Sequence, residues 1–537
     1  MKKYFFIISC LLVSQLYAQK LIYAKIEKQP RLTISLEALE NKIKGGWAGK
    51  MIGVTYGAPT EFRAQGKTFD DPINWVPADV KGSVWQDDIY VQLTFMETMD
   101  KYGINAPAKK FQELFAKSGY MLWHANVQGR KNYFDGIYPP MSGNPLYNLH
   151  ADDIDFQIES DYIGFICPGM PQTANKIADK IGHIMNYGDG VYGGVFVASL
   201  YTAAYFESDI NKLINRALLS LPATSDYATI IKDVLLLHQH YPADWRKAWQ
   251  ELENKWGKVN ICEAGKTFNI DAKLNGAFIV MGLLYGEGDI EKTLEITTRC
   301  GQDSDCNPSN AMSVLGIIKG FDALPLAYRN AVEAMADTLF DNTSYSFNKA
   351  VTQTMKYAQD IVKSNGGLIQ NGEMLIKEQS PLAFQLEAAF PSLVFDKRMP
   401  ISSAKENNDW SITGAWNKFS ENQSLFSSKA GDAISFNFVG TGISIEGNWV
   451  KDGGVADVYI DGVFKRRIDT YFDYANQEHR GVNIFHILGL KAGKHLVKIV
   501  VTGKKNVASA AANIYIAGAV VYKTGKKINE DYRFSFQ

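Results

Sequence analysis

Between residues 35 and 365, apolar positions recur mostly at three- and four-residue steps, the spacing of helices with one face in a core. LEALENKIKGGWAGKMIGVTYG predicts one such helix, in which Gly45, Gly46, Ala48, Gly49 and Gly53 leave room for a second helix to come close. YVQLTFMETMDKYG lines up Val91, Phe95 and Met99 and stops at Gly103. GGVFVASLYTAAYFESD is apolar nearly all round, which predicts a central buried helix. SNAMSVLGIIKGFDALP is similar and ends at Gly320 and Pro325. LLLHQHYP, with His238 and His240, reads as a helix end.

The rhythm changes after about residue 365. SNGGLIQNGEM is a Gly/Asn-rich break, and 366–405 reads as a linker or irregular segment in which a short helix and edge strands both stay open. From 406 to 525 the chain turns to Val/Ile/Tyr/Phe-rich, partly alternating runs such as ISFNFVGTGISIEGNW, HLVKIVVTG and NIYIAGAVVYK. Gly and Asx turns bound them, as at Asp461-Gly462 in VYIDGVF. The expected fold is multi-domain α plus β: an all-α domain over 35–365, then an all-β sandwich over 406–525.

Composition narrows the class. A chain of 537 residues with 46% hydrophobic and 21% charged content suits a globular protein of two or three domains. Its net charge of -1 and the absence of a basic stripe speak against a nucleic-acid partner. No stretch after the N-terminus is long and apolar enough for a transmembrane helix. The first residues, MKKYFFIISCLLVSQLYAQK, read as an export signal: Lys2 and Lys3, a short apolar run from Phe5 to Leu16, and cleavage after Ala18. The expected location is therefore periplasm, cell surface or medium. Ile7 to Cys10 is similar to a lipoprotein signal, although the apolar run before Cys10 is short for one. Beyond it, Cys167, Cys262, Cys300 and Cys306 read as buried thiols, with a Cys300–Cys306 bridge as the alternative. Oligomeric state is not legible.

The chemistry-bearing residues are acidic. WQDDIYVQL sets Asp87 and Asp88 at the start of a helix, and CGQDSDCNPSN does the same with Asp303 and Asp305. Carboxylates there can cap the helix or hold a cation. The second motif begins like a calcium loop and then departs from it, with Pro308 where Gly is needed and Val314 where Glu is needed. Asp303 and Asp305 therefore need ligands from elsewhere, and Asp87 and Asp88 are suitable. Such a set fits Mg²⁺ first, or Mn²⁺ or Ca²⁺, as one or two ions. Glu61, the acidic run of Asp152, Asp153, Asp155, Glu159 and Asp161, and the turn NYGDG (Asn186 to Gly190) are further candidates. No GxxxxGK[ST], HExxH or GxSxG motif is present.

In order and content, GGWAGKMIGVTYGAPTEF, WQDDIYVQL, the polar glycine turn and CGQDSDCNPSNAMSVLGIIKG resemble the ADP-ribosylglycohydrolase family over roughly residues 35 to 340. The resemblance implies an all-α fold with a divalent-metal centre in a cleft. Asp87 and Asp88 match its first ligand pair, Asp303 and Asp305 its second, and Glu61 an acidic residue that some members use in catalysis. Asn186, Tyr187, Asp189 and Gly190 match a region that often contacts substrate, with Asp155 a lesser candidate. Gln86 and Cys306 stand where the family usually has metal-binding hydroxyls; Gln86 can offer a carbonyl oxygen, whereas a thiol suits Mg²⁺ poorly. DGGVADVYIDGVFKRRIDTYF and LGLKAGKHLVKIVVTGKKN resemble jelly-roll modules of exported carbohydrate-active enzymes, which nominates Trp410, Trp416, Trp449 and Tyr471 for glycan contact or sandwich core.

The expected activity is an exported, metal-dependent glycoside hydrolase acting on a glycan or nucleoside-like sugar, furanosides among them. Gln86, Asp87, Asp88, Asp303 and Asp305 would hold the metal, and Glu61 and Asp88 would take part in catalysis. The alternatives are hydrolysis of ADP-ribosylated substrates and glycan binding without turnover.

Overall fold

The computed structural model describes residues 31–403, 409–534 and 536. The export signal read at residues 1–18, and Cys10 within it, lie outside the described residues. Helices dominate from Leu36 to Ser364, and strands from Leu368 to Thr524. The periodicities translate directly into elements. The glycine-rich segment is the helix Leu36–Gly57, and YVQLTFMETMDKY belongs to Asp87–Tyr102, which ends at Gly103 with φ +81°. The all-round apolar segment is Asp189–Ala204, buried along its whole length. The second acidic motif opens Cys306–Lys319.

The closest helix pair is Leu36–Gly57 against Cys306–Lys319. Gly45, Gly49, Gly53 and Gly57 recur every four residues on the facing stripe. A Cβ at these positions would lie 2.1 Å from the Gly316 carbonyl oxygen, 2.3 Å from that of Met312, 2.3 Å from that of Pro308 and 1.9 Å from that of Ser304. The helices therefore touch backbone to backbone, and the contact runs to the loop that carries Asp303 and Asp305.

Two features join distant parts of the chain. Arg31–Ser35 is a strand that pairs antiparallel with Glu373–Lys377, which also pairs with Leu368–Gln370. Ser35 then starts the first helix, its hydroxyl accepting from the Ala38 N–H at 3.0 Å. Over 366–403, where helix and edge strand had both stayed open, the chain is strand and irregular segment ending in the 3-10 turn Ile401–Ser403: besides those two short strands, Leu393–Pro400 pairs antiparallel with Ile514–Thr524 in the sandwich.

The β part is two facing antiparallel sheets. One runs in the order Val463–Asp469, Gly454–Ile460, Gly493–Lys505, Ala433–Gly440, Trp410–Thr413. The other runs His479–Ile487, Gly442–Trp449, Ile514–Thr524, Ser424–Ser427, Asn417–Phe419. The Asp461-Gly462 turn has φ of +53° and +77°, as a two-residue type I′ hairpin requires. Trp410 and Trp449 are core residues, Trp410 packing on Phe436 and Trp449 on Phe472, while Trp416 and Tyr471 are half-buried. Cys167, Cys262, Cys300 and Cys306 are all free thiols, so the alternative of a Cys300–Cys306 bridge is not realised.

The sandwich also braces the helical domain. The Gln477 side chain forms a two-way amide clamp on Leu122, accepting from its N–H at 3.1 Å and donating to its carbonyl at 2.9 Å. Tyr474 stacks on Phe134 with centroids 3.9 Å apart, and His486 Nε2 lies 2.7 Å from the Pro145 carbonyl. Leu122 directly precedes Trp123 and His124, so the β domain fixes backbone at the rim of the cleft described next.

Candidate active site

The two acidic motifs meet at the N-termini of two helices, and neither pair acts mainly as a cap. Asp305 occupies the N-cap position of Cys306–Lys319 without accepting a capping bond, and its Oδ1 is buried with no hydrogen-bond partner. Gln86 precedes Asp87–Tyr102 with no side-chain cap, and Asp87 Oδ1 accepts only from the next residue, the Asp88 N–H at 3.2 Å, among the described hydrogen bonds. Helix dipoles favour negative charge here, but the carboxylates point at one another.

A neighbouring loop brings Glu61 to them. The Phe62 N–H donates to the Gln302 carbonyl at 3.0 Å, and the Gln302 N–H to the Ala64 carbonyl at 2.8 Å. The Thr60 and Ser304 hydroxyls are 3.0 Å apart. Carboxylate oxygens of Glu61, Asp303 and Asp305 consequently lie within 4.8 Å of one another. A second group within the same limit joins Asp88, Asp305 and the Cys306 thiol. Asp305 belongs to both.

Asp88 faces inward. Lys50 Nζ stands 3.4 Å from Asp88 Oδ1 and 2.9 Å from Asp161 Oδ2, all fully buried, and the Cys306 thiol donates to Asp88 Oδ2 at 3.0 Å. Burial opposes the Lys50 charge, but Asp161 and Asp88 outweigh it and hold its pKa above the ordinary lysine range. Glu61 and Asp87 line the open cleft with Gln86, Asp155, Asp303 and Cys306.

One lysine does not balance this many carboxylates. Burial first, and then the neighbouring carboxylates, push Asp87, Asp303 and Asp305 well above the usual range. Glu61 opens to solvent along the cleft, yet the cleft wall together with Asp305 and Asp88 raises it to about 8. The orphaned Asp305 oxygen and the all-oxygen cluster fit a hard divalent cation. The buried Cys306 thiol is already engaged with Asp88.

A measurable consequence follows. A carboxyl whose pKa is higher in the folded chain than in the unfolded one holds its proton more tightly when folded. Metal-free stability is therefore expected to fall as pH rises from the ordinary Glu value of 4.5 to about 8. Added Mg²⁺ or Mn²⁺ is expected to raise the melting temperature strongly near the upper end and little near the lower. Thermal melts with and without cation at both ends check this, and equal cation shifts at both would contradict it.

The remaining candidates fall in two places. Asp155 lines the cleft, but its carboxylate accepts from the Ala125 and Asn126 N–H groups at 3.2 and 2.9 Å, at the start of the helix His124–Phe134. The turn from Asn186 to Gly190 does not line it. Asn186 is fully buried, donating to the Ala151 and Asp153 carbonyls and accepting from the Phe156 N–H. Tyr187 packs edge-on to His183, and Asp189 accepts from the Tyr227 N–H at 3.0 Å. At Gly190 a Cβ would strike the Ala151 carbonyl at 2.3 Å. This turn shapes the acidic segment from behind. In its stead the cleft is rimmed by Trp85, 68% exposed, and Trp123, 41% exposed, with His124 beside them. Trp85 adjoins the Asp pair in sequence; nothing local to MLWHANV marks Trp123 and His124.

Comparison with known proteins agrees with the helical part. A sequence model described as ADP-ribosylglycohydrolase matches residues 35–359. The fold is similar to a solved ADP-ribosylglycohydrolase-related protein complex at 14% identity, covering 60% of this chain and 98% of that one with a TM-score of 0.42. It is also similar to a two-domain esterase active on acetylated mannans, at 18% identity, 36% and 50% coverage and a TM-score of 0.22. A blood-group A N-acetyl-α-D-galactosamine deacetylase of Flavonifractor plautii is 33% identical over 108 residues, 19% of this chain and 14% of that protein. The match thus spans a small part of that relative. On the match over residues 35–359, more than half of its length, the chain belongs to the ADP-ribosylglycohydrolase family.

Proposed function

We propose that the protein is an exported, divalent-metal-dependent glycoside hydrolase that acts on neutral sugars, with the carboxylate cleft as its active site. Glu61, Asp87, Asp303 and Asp305 would hold the cation, with Gln86 offering an amide oxygen and Asp88 supporting Asp305 from behind. Bound there, a cation supplies Lewis acidity and orients hydroxyls. Glu61 would serve as the proton-accepting group: it is open to the cleft, where it can take the proton of the attacking water with the oxygen not given to the cation. Cleavage at a sugar C1 builds positive charge on the ring, which the surrounding carboxylates favour.

The observation that carries the substrate class is the cleft lining. It combines four carboxylates with two solvent-facing tryptophans, and no Lys or Arg is among the described residues that line it. A pyrophosphate such as that of ADP-ribose brings negative charge and finds no cationic side chain, which leaves the bound cation as its one positive partner in the cleft. A neutral sugar stacks its apolar face on an indole at no electrostatic cost. Turnover of neutral aryl furanosides or pyranosides with Mg²⁺ or Mn²⁺, and none of ADP-ribosylated peptides, is the expected result. The reverse preference would overturn the substrate class, and binding of glycans without any turnover would overturn the enzyme.

Trp85→Ala is expected to raise KM on the order of tenfold with a smaller effect on kcat, because stacking holds ground state and transition state alike. Steady-state kinetics on whichever glycoside is turned over checks this; an unchanged KM would remove Trp85 from the substrate path.

A further inference from the structure

A second group of metal-binding side chains stands beside the carboxylate cluster and is built differently. We propose that His124, His150 and Asp153 form a site for a zinc-class divalent cation, separate from the hard-cation centre.

The three ligand atoms lie within 4.8 Å of one another. His150 Nδ1 is 2.7 Å from Asp153 Oδ2, and His124 Nδ1 is 3.8 Å from the same oxygen. Ligands about 2.0–2.1 Å from a tetrahedral zinc are separated by roughly 3.3 Å. The two distances bracket that value, so a shift of about half an ångström in each ring completes the arrangement. The donors are two imidazoles and one carboxylate, a set that selects zinc-like ions over Mg²⁺.

Three further observations point the same way. Asp153 is buried, and the Cys262 thiol donates to its Oδ1 at 3.0 Å, which orients the carboxylate from behind as supporting groups do for metal ligands. His124 sits at φ +43°, a left-handed conformation uncommon outside glycine and costly where it occurs. Asp155 helps hold it there by taking the next two N–H groups of the helix. No hydrogen bond among the described residues uses the His124 ring, which stacks on Phe268 and faces His150 edge-on with centroids 5.7 Å apart. The backbone is thus fixed by bonds that do not involve the imidazole, and the ring is left poised for a ligand. His124 also lines the substrate cleft, which puts one ligand of the site in the cleft wall.

The site does not depend on the glycoside reading, and its test uses different variants. The full chain, stripped with chelator, is titrated with Zn²⁺ by calorimetry and with Co²⁺ by visible absorption. The wild type is expected to bind one zinc ion more than His124→Ala or His150→Ala, and to show the intense d–d bands of tetrahedral cobalt. Each variant should weaken that step by at least tenfold and lose the bands, whereas Asp303→Asn should keep both. His124 is partly exposed, so its alanine variant tests the site even if replacing His150 impairs folding. Zinc affinity and cobalt spectrum unchanged in His124→Ala would overturn the proposal, as would their loss in Asp303→Asn with retention in His124→Ala.

Discussion

Asp305→Asn is expected to lower kcat/KM on the order of a thousandfold and to abolish Mg²⁺ or Mn²⁺ binding, while leaving the fold intact. Among the described residues Asp305 is the carboxylate common to both groups of candidate ligands, with Glu61 and Asp303 on one side and Asp88 and the Cys306 thiol on the other. Asn keeps the shape and removes the charge from both. Losing one charge-stabilising group in an active site costs about 10²–10³ in rate, and here the cation that the group helps to hold goes too. The fold does not depend on this side chain as a cap, because it makes no capping bond. In the metal-free protein the substitution relieves repulsion from Asp303 and Asp88, which push the Asp305 pKa up after burial has done so. The melting temperature without cation is therefore expected to rise, and the rise on adding cation to disappear. Activity, metal content and paired thermal melts read these effects separately. A variant that keeps wild-type metal content and turnover would show that the two acidic motifs do not share a site.

Which parts of this were legible follows from the range of the forces involved. Helices such as Asp189–Ala204 and Cys306–Lys319 declare themselves because burial acts on neighbouring turns and leaves a local period. The strand Arg31–Ser35 leaves no comparable mark: its partner is Glu373–Lys377, and only that pairing makes five residues a strand. That the two Asp pairs could meet was readable because the second motif departs from a calcium loop and calls for carboxylates from elsewhere. The inward turn of Asp88 was not, since it depends on Lys50 from another helix. Asn186 to Gly190 looked like a substrate loop on its glycines and polar groups, and those same features serve close packing against Ala151 and Asp153. Trp123 and His124 reach the cleft because Asp155 holds the helix start behind them and Gln477, from the other domain, clamps Leu122. No local pattern encodes a position set by two partners so remote in sequence.

Gly53→Ala is expected to destabilise the protein and to weaken metal binding, although glycine to alanine inside a helix ordinarily adds about 1 kcal/mol of stability. The added methyl would lie 2.3 Å from the Pro308 carbonyl oxygen and 2.5 Å from its carbon. Both are backbone atoms of the facing helix and cannot swing aside as a side-chain tip would. The helices must separate, and overpacking of this kind typically costs about 1–3 kcal/mol, which outweighs the propensity gain at the upper end. Gly57→Ala is tighter still, at 1.9 Å from the Ser304 carbonyl, one residue from Asp305. Separation there also pulls Asp305 away from Glu61, so cation affinity should fall in Gly57→Ala by more than stability alone explains. Gly82→Ala is the control, because its methyl meets nothing closer than the Thr55 side chain at 3.8 Å. Denaturant melts of the three variants, with cation titrations beside them, give the comparison. If Gly53→Ala and Gly57→Ala melt with the wild type, the helices are not in backbone contact and the glycine stripe does not hold the acidic loop in place.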